Sequence, residues 1–222
     1  MEKITIIMPC YNSGIHLIPA IESILNNTKY PFELLLIESE STDGTDNICD
    51  DYANKYNNIR VIHTKREGLV KAYNTGIKNC EGDVYLTQDD VILPKLYGRD
   101  WLTEIVKVSK SIDCGLITTL GGWGISGEDY IKGLKWVGTW SVFIPRKTIE
   151  KIGLYDELFS PGMGDDIDYS FRIYRAGLKI FMMDFWVDHH RRTEHRAGNN
   201  KTMIEHAKLF RKKWKIGEFN DG

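Results

Sequence analysis

No apolar run in this 222-residue chain approaches the length of a membrane-spanning helix, and its N-terminus has no charged-then-apolar leader. Those two absences argue against a membrane-spanning or exported product, and the cytoplasm is the expected compartment. The four cysteines, Cys10, Cys49, Cys80 and Cys114, are scattered without a Cys-x-x-Cys pair. Free buried thiols in a reducing compartment are expected, with two disulfides as the alternative. There is also no basic excess. With 29 Lys and Arg against 31 Asp and Glu the net charge is −2, which argues against a nucleic-acid binder. Linkers, low-complexity segments and repeats of fixed period are missing as well. What remains is a chain of ordinary composition, 42% hydrophobic and 27% charged, long enough for one large domain or two small ones.

Short apolar runs at Ile4–Met8, Leu34–Glu38, Ile59–His63 and Val84–Thr87 predict strands. Helical stretches separate them. The first is expected to use Ile15, Ile18, Ile21, Ser23, Ile24 and Leu25 as one face. The second starts from Asp43 as its cap and runs through Ile48, Tyr52 and Tyr56; the third follows Gly68 through Val70, Ala72 and Ile77. Strands alternating with helices imply βαβ units, and so an α/β fold with a parallel sheet buried on both faces. In such sheets the ligand crevice lies beyond the C-terminal strand ends. That rule brings Pro9-Cys10-Tyr11-Asn12, Glu38-Ser39-Glu40 and Gln88-Asp89-Asp90 to one rim. Further on, Gly121–Gly127 is expected to be a mobile Gly-rich loop, followed by a strand over Trp136–Pro145, a short helix near Lys147–Ile152 and a last strand over Leu178–Val187.

Two adjacent carboxylates at the end of a buried strand are costly, since like charges repel and desolvation disfavours both. A hard divalent cation would offset that cost. A turn or a helix N-cap is the plainer explanation for Asp89-Asp90.

Five motifs in order then carry a resemblance: Ile6-Ile7-Met8-Pro9-Cys10-Tyr11-Asn12; Glu38-Ser39-Glu40-Ser41-Thr42-Asp43-Gly44-Thr45; Gly68-Leu69-Val70-Lys71-Ala72-Tyr73-Asn74-Thr75-Gly76; Gly82-Asp83 to Asp89-Asp90; and Gly153-Leu154-Tyr155-Asp156-Glu157 leading to Gly164-Asp165-Asp166-Ile167-Asp168. Together they resemble the family 2 glycosyltransferases of GT-A fold, from about Ile4 to His190. The resemblance implies a central, mostly parallel sheet flanked by helices, and transfer of a sugar from a nucleotide-sugar donor to an acceptor hydroxyl. It implies that Pro9, Tyr11 and Asn12 line the nucleotide pocket, that Glu38 accepts the nucleobase imide N–H, and that Asp83 contacts the nucleoside. A carboxylate at that position favours a UDP- or dTDP-sugar. A solvated turn is the competing reading of Glu38, and a strand-start turn that of Asp83.

The family's metal motif is Asp-x-Asp. Here Asp90 matches its last member, Gln88 replaces the first, and Asp89 lies between on the nucleotide-sugar side. Mn2+ or Mg2+ is the implied cofactor, with His189 a second ligand and His190 a weaker candidate. Tyr73 stands where many relatives have an Arg, leaving Lys71 or Arg66 as phosphate partners or plain surface residues. By resemblance Asp166 is the base that deprotonates the acceptor, with Asp165 in reserve, and the displacement is direct, with inversion. Both, with Asp168, also read as caps of a helix Tyr169–Ala176. Asp188 is a candidate outer partner of the histidines, and Arg191, Arg192 and Arg196 either hold diphosphate or face water. Trp123, Trp136 and Trp140 are candidates for stacking on sugar faces; Trp123, in the Gly-rich loop, is the candidate acceptor contact and that loop a candidate lid, while core is the plainer reading of Trp136 and Trp140.

The tail places Met203, Ala207, Phe210 and Trp214 at helical spacing among Lys208, Arg211, Lys212, Lys213 and Lys215. A helix packed on the domain with a solvated basic side is expected; a membrane-surface helix near a lipid-linked acceptor is the alternative. The expected organisation is one domain over 1–222: a nucleotide-sugar half to about 92, an acceptor-side half over about 93–198, and a tail over 199–222. The rivals are a nucleotidyltransferase, whose phosphate loop Asn12-Ser13-Gly14 does not supply; a glycosidase, which needs no nucleotide motifs; and a non-catalytic sugar- or nucleotide-binding module, which Gln88 and Tyr73 favour.

Overall fold

The computed structural model describes residues 3–121, 123–125, 130–190 and 200–216, the side chains of Trp123 and Asn200 aside. Along the chain run β1 (Ile4–Cys10), α1 (Leu17–Asn27), β2 (Phe32–Ser39), α2 (Thr45–Lys55), β3 (Ile59–Thr64), α3 (Leu69–Lys78), β4 (Val84–Thr87) and β5 (Val91–Ile92). There follow α4 (Trp101–Ser111), β6 (Leu116–Leu120), β7 (Trp123–Ile125), β8 (Lys135–Val137), β9 (Ser141–Ile144) and α5 (Arg146–Ile152). The last are α6 (Asp165–Arg175), β10 (Ile180–Trp186), β11 (Asp188–His189) and α7 (Asn200–Trp214).

All seven residues of β1 are buried, as a strand covered on both faces must be. It sits inside a seven-stranded sheet of order β10-β6-β9-β4-β1-β2-β3. Only β9 runs against its neighbours, β4 and β6; the other pairings are parallel. Period-2 alternation sends Ile4, Ile6, Met8 and Cys10 to one face, where α1, α2 and α4 cover them, and Ile7 to the other, under α3, α5 and α6. A third cluster, with Tyr130, Phe159, Ile167, Ala207 and Phe210 at its centre, seats α7 on α6.

The four expected strands are all present, Val84–Thr87 with the expected bounds. Helix α1 starts later than its pattern suggests. Its buried stripe is Leu17, Ala20, Ile21 and Ile24, while Ile15 and Ile18 are 75% and 38% exposed. The expected strand Trp136–Pro145 is interrupted at residues 138–140, so β8 pairs with β7 while β9 joins the main sheet. The described part of the Gly-rich segment is therefore paired backbone rather than loop. Helix α6 opens at Asp165, putting Asp165, Asp166 and Asp168 inside its first turn, after the left-handed Gly164. Between Leu93 and Leu120 the sequence reading placed nothing; α4 and β6 lie there, α4 capped by Asp100, whose carboxylate accepts the Thr103 N–H at 2.8 Å.

Candidate active site

Beyond the C-terminal ends of β1, β2 and β4 lies a cavity of about 640 Å3. Its walls include Pro9 and Cys10 at the end of β1 with Tyr11 just after it, Ser39 at the end of β2, Arg66 and Gly68 before α3, and Gln88, Asp89 and Asp90 after β4. The opposite wall comes from Trp136, Gly138, Thr139 and Trp140 and from Pro161, Met163, Asp165 and Asp166, with His189 beside Asp90. Eight of the residues expected from sequence thus share one hollow: Pro9, Tyr11, Gln88, Asp89, Asp90, Asp165, Asp166 and His189.

The two sides are locked together by close backbone approach. Leu69 N–H donates to the Pro161 carbonyl at 2.8 Å, and the Ser160 hydroxyl donates to the Glu67 carbonyl at 2.6 Å. Gly68 permits this: its φ is +94°, and a Cβ there would lie 2.5 Å from Pro161 Cα. Gly164 plays the same part before α6, with φ +93° and the Tyr130 hydroxyl 2.6 Å from where a Cβ would be.

Three expected contacts are not brought to the walls. Asn12, with φ +45°, donates its N–H to the Ser41 hydroxyl at 3.1 Å and accepts the Thr42 N–H on its side-chain oxygen at 2.8 Å, tying the loop after β1 to the loop after β2. Glu38 is 2% exposed; its oxygens accept the Ser41 N–H at 2.7 Å and face His63 Nδ1 at 3.0 Å. Burial opposes ionisation of Glu38, but the hydrogen bonds from Ser41 and His63 outweigh it and hold the carboxyl below its ordinary value. Asp83 precedes β4 whereas Gln88 follows it, roughly 16 Å apart at strand rise. Its carboxylate accepts the Arg146 N–H at 2.8 Å and so caps α5, at the end of the strand away from the cavity.

The metal expectation rests on β5 and β11. This antiparallel ribbon pairs His189 with Val91, and the His190 N–H donates to the Asp90 carbonyl at 2.9 Å. His189 Nε2 thereby comes within 3.4 Å of Asp90 Oδ1. Trp140 stacks on the imidazole, centroids 4.6 Å apart, and the buried His189 Nδ1 has no hydrogen-bond partner among the described residues. His190 instead faces away, with Nε2 2.9 Å from the exposed Asp188 carboxylate. Asp89 accepts the Ser13 hydroxyl. Among the described residues no three His, Cys, Asp or Glu side chains form a metal cage. One carboxylate–imidazole pair beside an open cavity still fits a divalent ion that takes its other ligands from phosphate and water, and imidazole favours Mn2+ over Mg2+.

Asp165 and Asp166 differ in environment. Burial lifts the Asp165 carboxyl well above its ordinary value, the Asp166 charge adds to the lift, and Asp165 Oδ2 has no partner among the described residues. Burial also pushes Asp166 up to about 6, restrained by N–H groups at the start of α6, including that of Ile167 at 2.8 Å. Asp168, fully buried, points away from the cavity and accepts Arg172 Nε at 2.9 Å, Lys213 Nζ at 2.6 Å and Trp214 Nε1 at 2.9 Å.

Residues 5–111 match the sequence profile of glycosyl transferase family 2. That match covers just under half of the chain, which over this span is similar to the family. Glycosyltransferase GlyG of Streptococcus pneumoniae is 35% identical over 95 residues, which cover 41% of this chain and 31% of GlyG. Minor teichoic acid biosynthesis protein GgaB of Bacillus subtilis is 40% identical over 94 residues, 40% of this chain and 10% of GgaB. The matched stretch thus spans less than a third of either relative. In three dimensions the likeness runs further. S. aureus TarS 1-349 in complex with UDP-GlcNAc superposes with a TM-score of 0.69 at 17% identity, covering 99% of this chain and 68% of that one. Mannosyltransferase PcManGT from Pyrobaculum calidifontis, in complex with GDP-Man and Mn2+, gives 0.63 at 20% identity, covering 82% and 55%. The sheet is thus of the GT-A type.

Within this framework the structure sorts the remaining candidates. Trp136 and Trp140, for which core was the plainer reading and sugar stacking the other, line the cavity; nothing local distinguishes a wall Trp from a packed one. Arg66, not Lys71, is on the wall, its guanidinium 4.2 Å from the Tyr11 ring centroid, while Lys71 pairs with Glu67 at 2.7 Å. Tyr73 is fully buried and its hydroxyl donates to the carbonyls of Thr87 and Thr139, both at 3.2 Å. The Trp123 side chain and Arg191, Arg192 and Arg196 lie outside the described residues.

Proposed function

We propose that the chain is a nucleotide-sugar-dependent glycosyltransferase acting by direct displacement with inversion. The observation that carries this is the single cavity joining the loops after β1 and β4 to the carboxylates that open α6. Asp166 takes the proton from an acceptor hydroxyl as that oxygen attacks the anomeric carbon opposite the leaving diphosphate. A base whose pKa is about 6 is ionised at neutral pH yet still basic enough to accept a proton. Asp165, whose carboxyl is lifted by burial and by the Asp166 charge, is the reserve for that role.

Asp90 and His189 would hold a divalent cation, which when bound neutralises charge on the departing diphosphate. Tyr11, Ser39 and Arg66 frame the nucleobase end, and the donor we propose is a UDP- or dTDP-sugar. The UDP-GlcNAc complex of TarS supports uridine; the GDP-Man complex of PcManGT makes guanosine the competitor.

The test is a thermal-shift series with UDP, dTDP, GDP and ADP, each with and without Mn2+, followed by sugar-nucleotide hydrolysis. A ligand at a hundredfold over its dissociation constant stabilises the folded state by about 2.7 kcal/mol. Mn2+-dependent stabilisation by UDP together with slow hydrolysis is expected. No shift with any nucleotide would overturn the donor site, and binding without turnover would leave a non-catalytic module.

A further inference from the structure

The inner face of α7 braces the catalytic wall. Ala207 and Phe210 are buried against Tyr130, Phe159 and Ile167. Lys213 Nζ lies 2.6 Å from Asp168 and 2.8 Å from Asp156, and His206 Nδ1 lies 2.6 Å from the carbonyl of Met163, a cavity-wall residue. The outer face is of opposite character. Lys201, Lys208 and Lys212 are exposed and fall within about 40° of one another around the helix, with the exposed Lys215 in the turn that follows. Ile204, 52% exposed, and Glu205 flank them. Asn200–Trp214 carries five Lys and Arg against one Glu, in a chain whose net charge is −2.

We propose that this face docks on an anionic membrane surface and so holds the acceptor side of the cavity next to membrane-carried acceptors. Charge complementarity selects the partner, because the rest of the chain is acidic and would be repelled by the same surface. The helix buries Ala207 and Phe210 in the protein core, and its exposed apolar residues, Met203, Ile204 and Leu209, lie about 100° or more apart around the axis, so they form no common face to insert. The attachment is electrostatic, reversible and salt-sensitive, unlike that of an interfacial helix that buries an apolar face. This deepens the acceptor side of the proposed function, but its readout involves neither donor nor turnover, so either can fail alone.

The experiment is co-sedimentation of the 222-residue chain with phosphatidylcholine vesicles, with and without phosphatidylglycerol, at low and high salt. The chain should pellet only with the anionic vesicles and only at low salt. Replacing Lys201, Lys208, Lys212 and Lys215 together by Gln, which keeps helix propensity, should weaken partitioning at least about a hundredfold, at about fivefold per lysine. The melting temperature should not move. Should the quadruple variant not fold, the pair Lys208→Gln and Lys212→Gln should read about 25-fold by the same arithmetic. The proposal is overturned if anionic vesicles fail to bind the chain, if neutral vesicles bind it equally, or if a folded variant binds like the parent. Retention of soluble polyphosphate without vesicle binding would also overturn it, in favour of a polyanionic acceptor.

Discussion

The N-terminal part of the sheet delivers its site residues from strand ends and the loops that directly follow them: Pro9 and Tyr11 from β1, Ser39 from β2, Gln88 to Asp90 from β4. The C-terminal half works by contact across long stretches of chain. His189 reaches Asp90 through the β5–β11 ribbon, Trp140 stacks on His189, and Lys213 reaches back to Asp168 from the last helix. The profile match, confined to residues 5–111, follows the same division. Strand-end residues of a parallel sheet are placed at the ligand crevice by the fold itself, whereas a site assembled from distant segments depends on the packing between them.

The largest expected effect tests the C-terminal half's chemistry. Asp166→Asn should lower the transfer rate by roughly two to four orders of magnitude, while donor affinity stays within a few-fold. The parent rate should rise with pH through about 6 and then level off, as the base ionises. Stability should move the opposite way. The folded carboxyl is lifted above its ordinary 3.8, so the folded state holds a proton that the unfolded chain has lost, and stability falls as pH rises from about 3.8 to 6. The Asn variant lacks that fall and should melt higher than the parent at pH 8. Parental turnover in the variant would shift the base to Asp165. Because Asn is itself a good cap, unchanged melting and unchanged rate together would mean Asp166 is only structural.

The next effect tests the dependence on the tail. Asp168 is a buried carboxylate with three donors, two of them on α7. Asp168→Ala leaves Arg172 and Lys213 without their shared anion, and should cost about 3–5 kcal/mol of stability in urea unfolding. A loss below about 1 kcal/mol would mean the tail is held by its apolar packing and its other polar contacts rather than by this carboxylate.

What was legible in the sequence follows from this contrast. Val84–Thr87 and the rim residues after β1 and β4 are visible because apolar runs end abruptly in polar loops, and the parallel-sheet rule then assigns the rim. Glu38 and Asp83 show the limit of reading by position. Glu38 belongs to a rim motif, yet its carboxylate turns to Ser41 and His63, and Asp83 lies at the wrong end of a short strand. Ile15 and Ile18 follow helical spacing, but Ile15 precedes the helix, which starts at Leu17, and Ile18 falls outside its buried face, so both are exposed. Trp140 and His189 are 49 residues apart, and no periodicity links them. The pairing of β5 with β11 is what brings them together, and a two-residue strand carries no pattern of its own.

A smaller effect is expected at the seam between the halves. His189→Ala should weaken Mn2+-dependent UDP binding by roughly ten- to a hundredfold, with UDP binding in chelator unchanged. Trp140→Ala should reproduce part of that loss, and Trp140→Phe, which keeps a ring on the imidazole, should restore it. Calorimetric titration of UDP with and without Mn2+ decides the matter. Equal affinities across the set would remove His189 from the cation site and leave the ribbon a structural feature.

The smallest effect tests whether the N-terminal half really is locally built. His63 pairs in register with Glu38 across β2 and β3; its Nδ1 lies 3.0 Å from Glu38 and its Nε2 3.0 Å from Asp50. The Glu38 hydrogen bond lifts the imidazole above its ordinary 6.5; burial opposes the lift and Asp50 adds to it. A raised imidazole contributes stability in full below 6.5, and that contribution is lost as pH climbs through the folded value. Glu38, held below its ordinary 4.5, acts in the other sense: its contribution is present above 4.5 and fades in acid. Stability from this pair is therefore greatest between the two and should decline modestly above pH 6.5. His63 is half exposed, so solvent screening keeps the decline small. In His63→Gln the decline should vanish, because the amide still reaches Glu38 but carries no charge to lose. Parallel melting curves for parent and variant across that pH range would show that the pair is not charged in the folded state. UDP affinity supplies the second readout. With Glu38 turned from the cavity, His63→Gln should leave it within a few-fold of the parent. A tenfold loss would mean that Glu38 reads the base after all, and that part of the donor site also depends on a contact made at a distance in the chain.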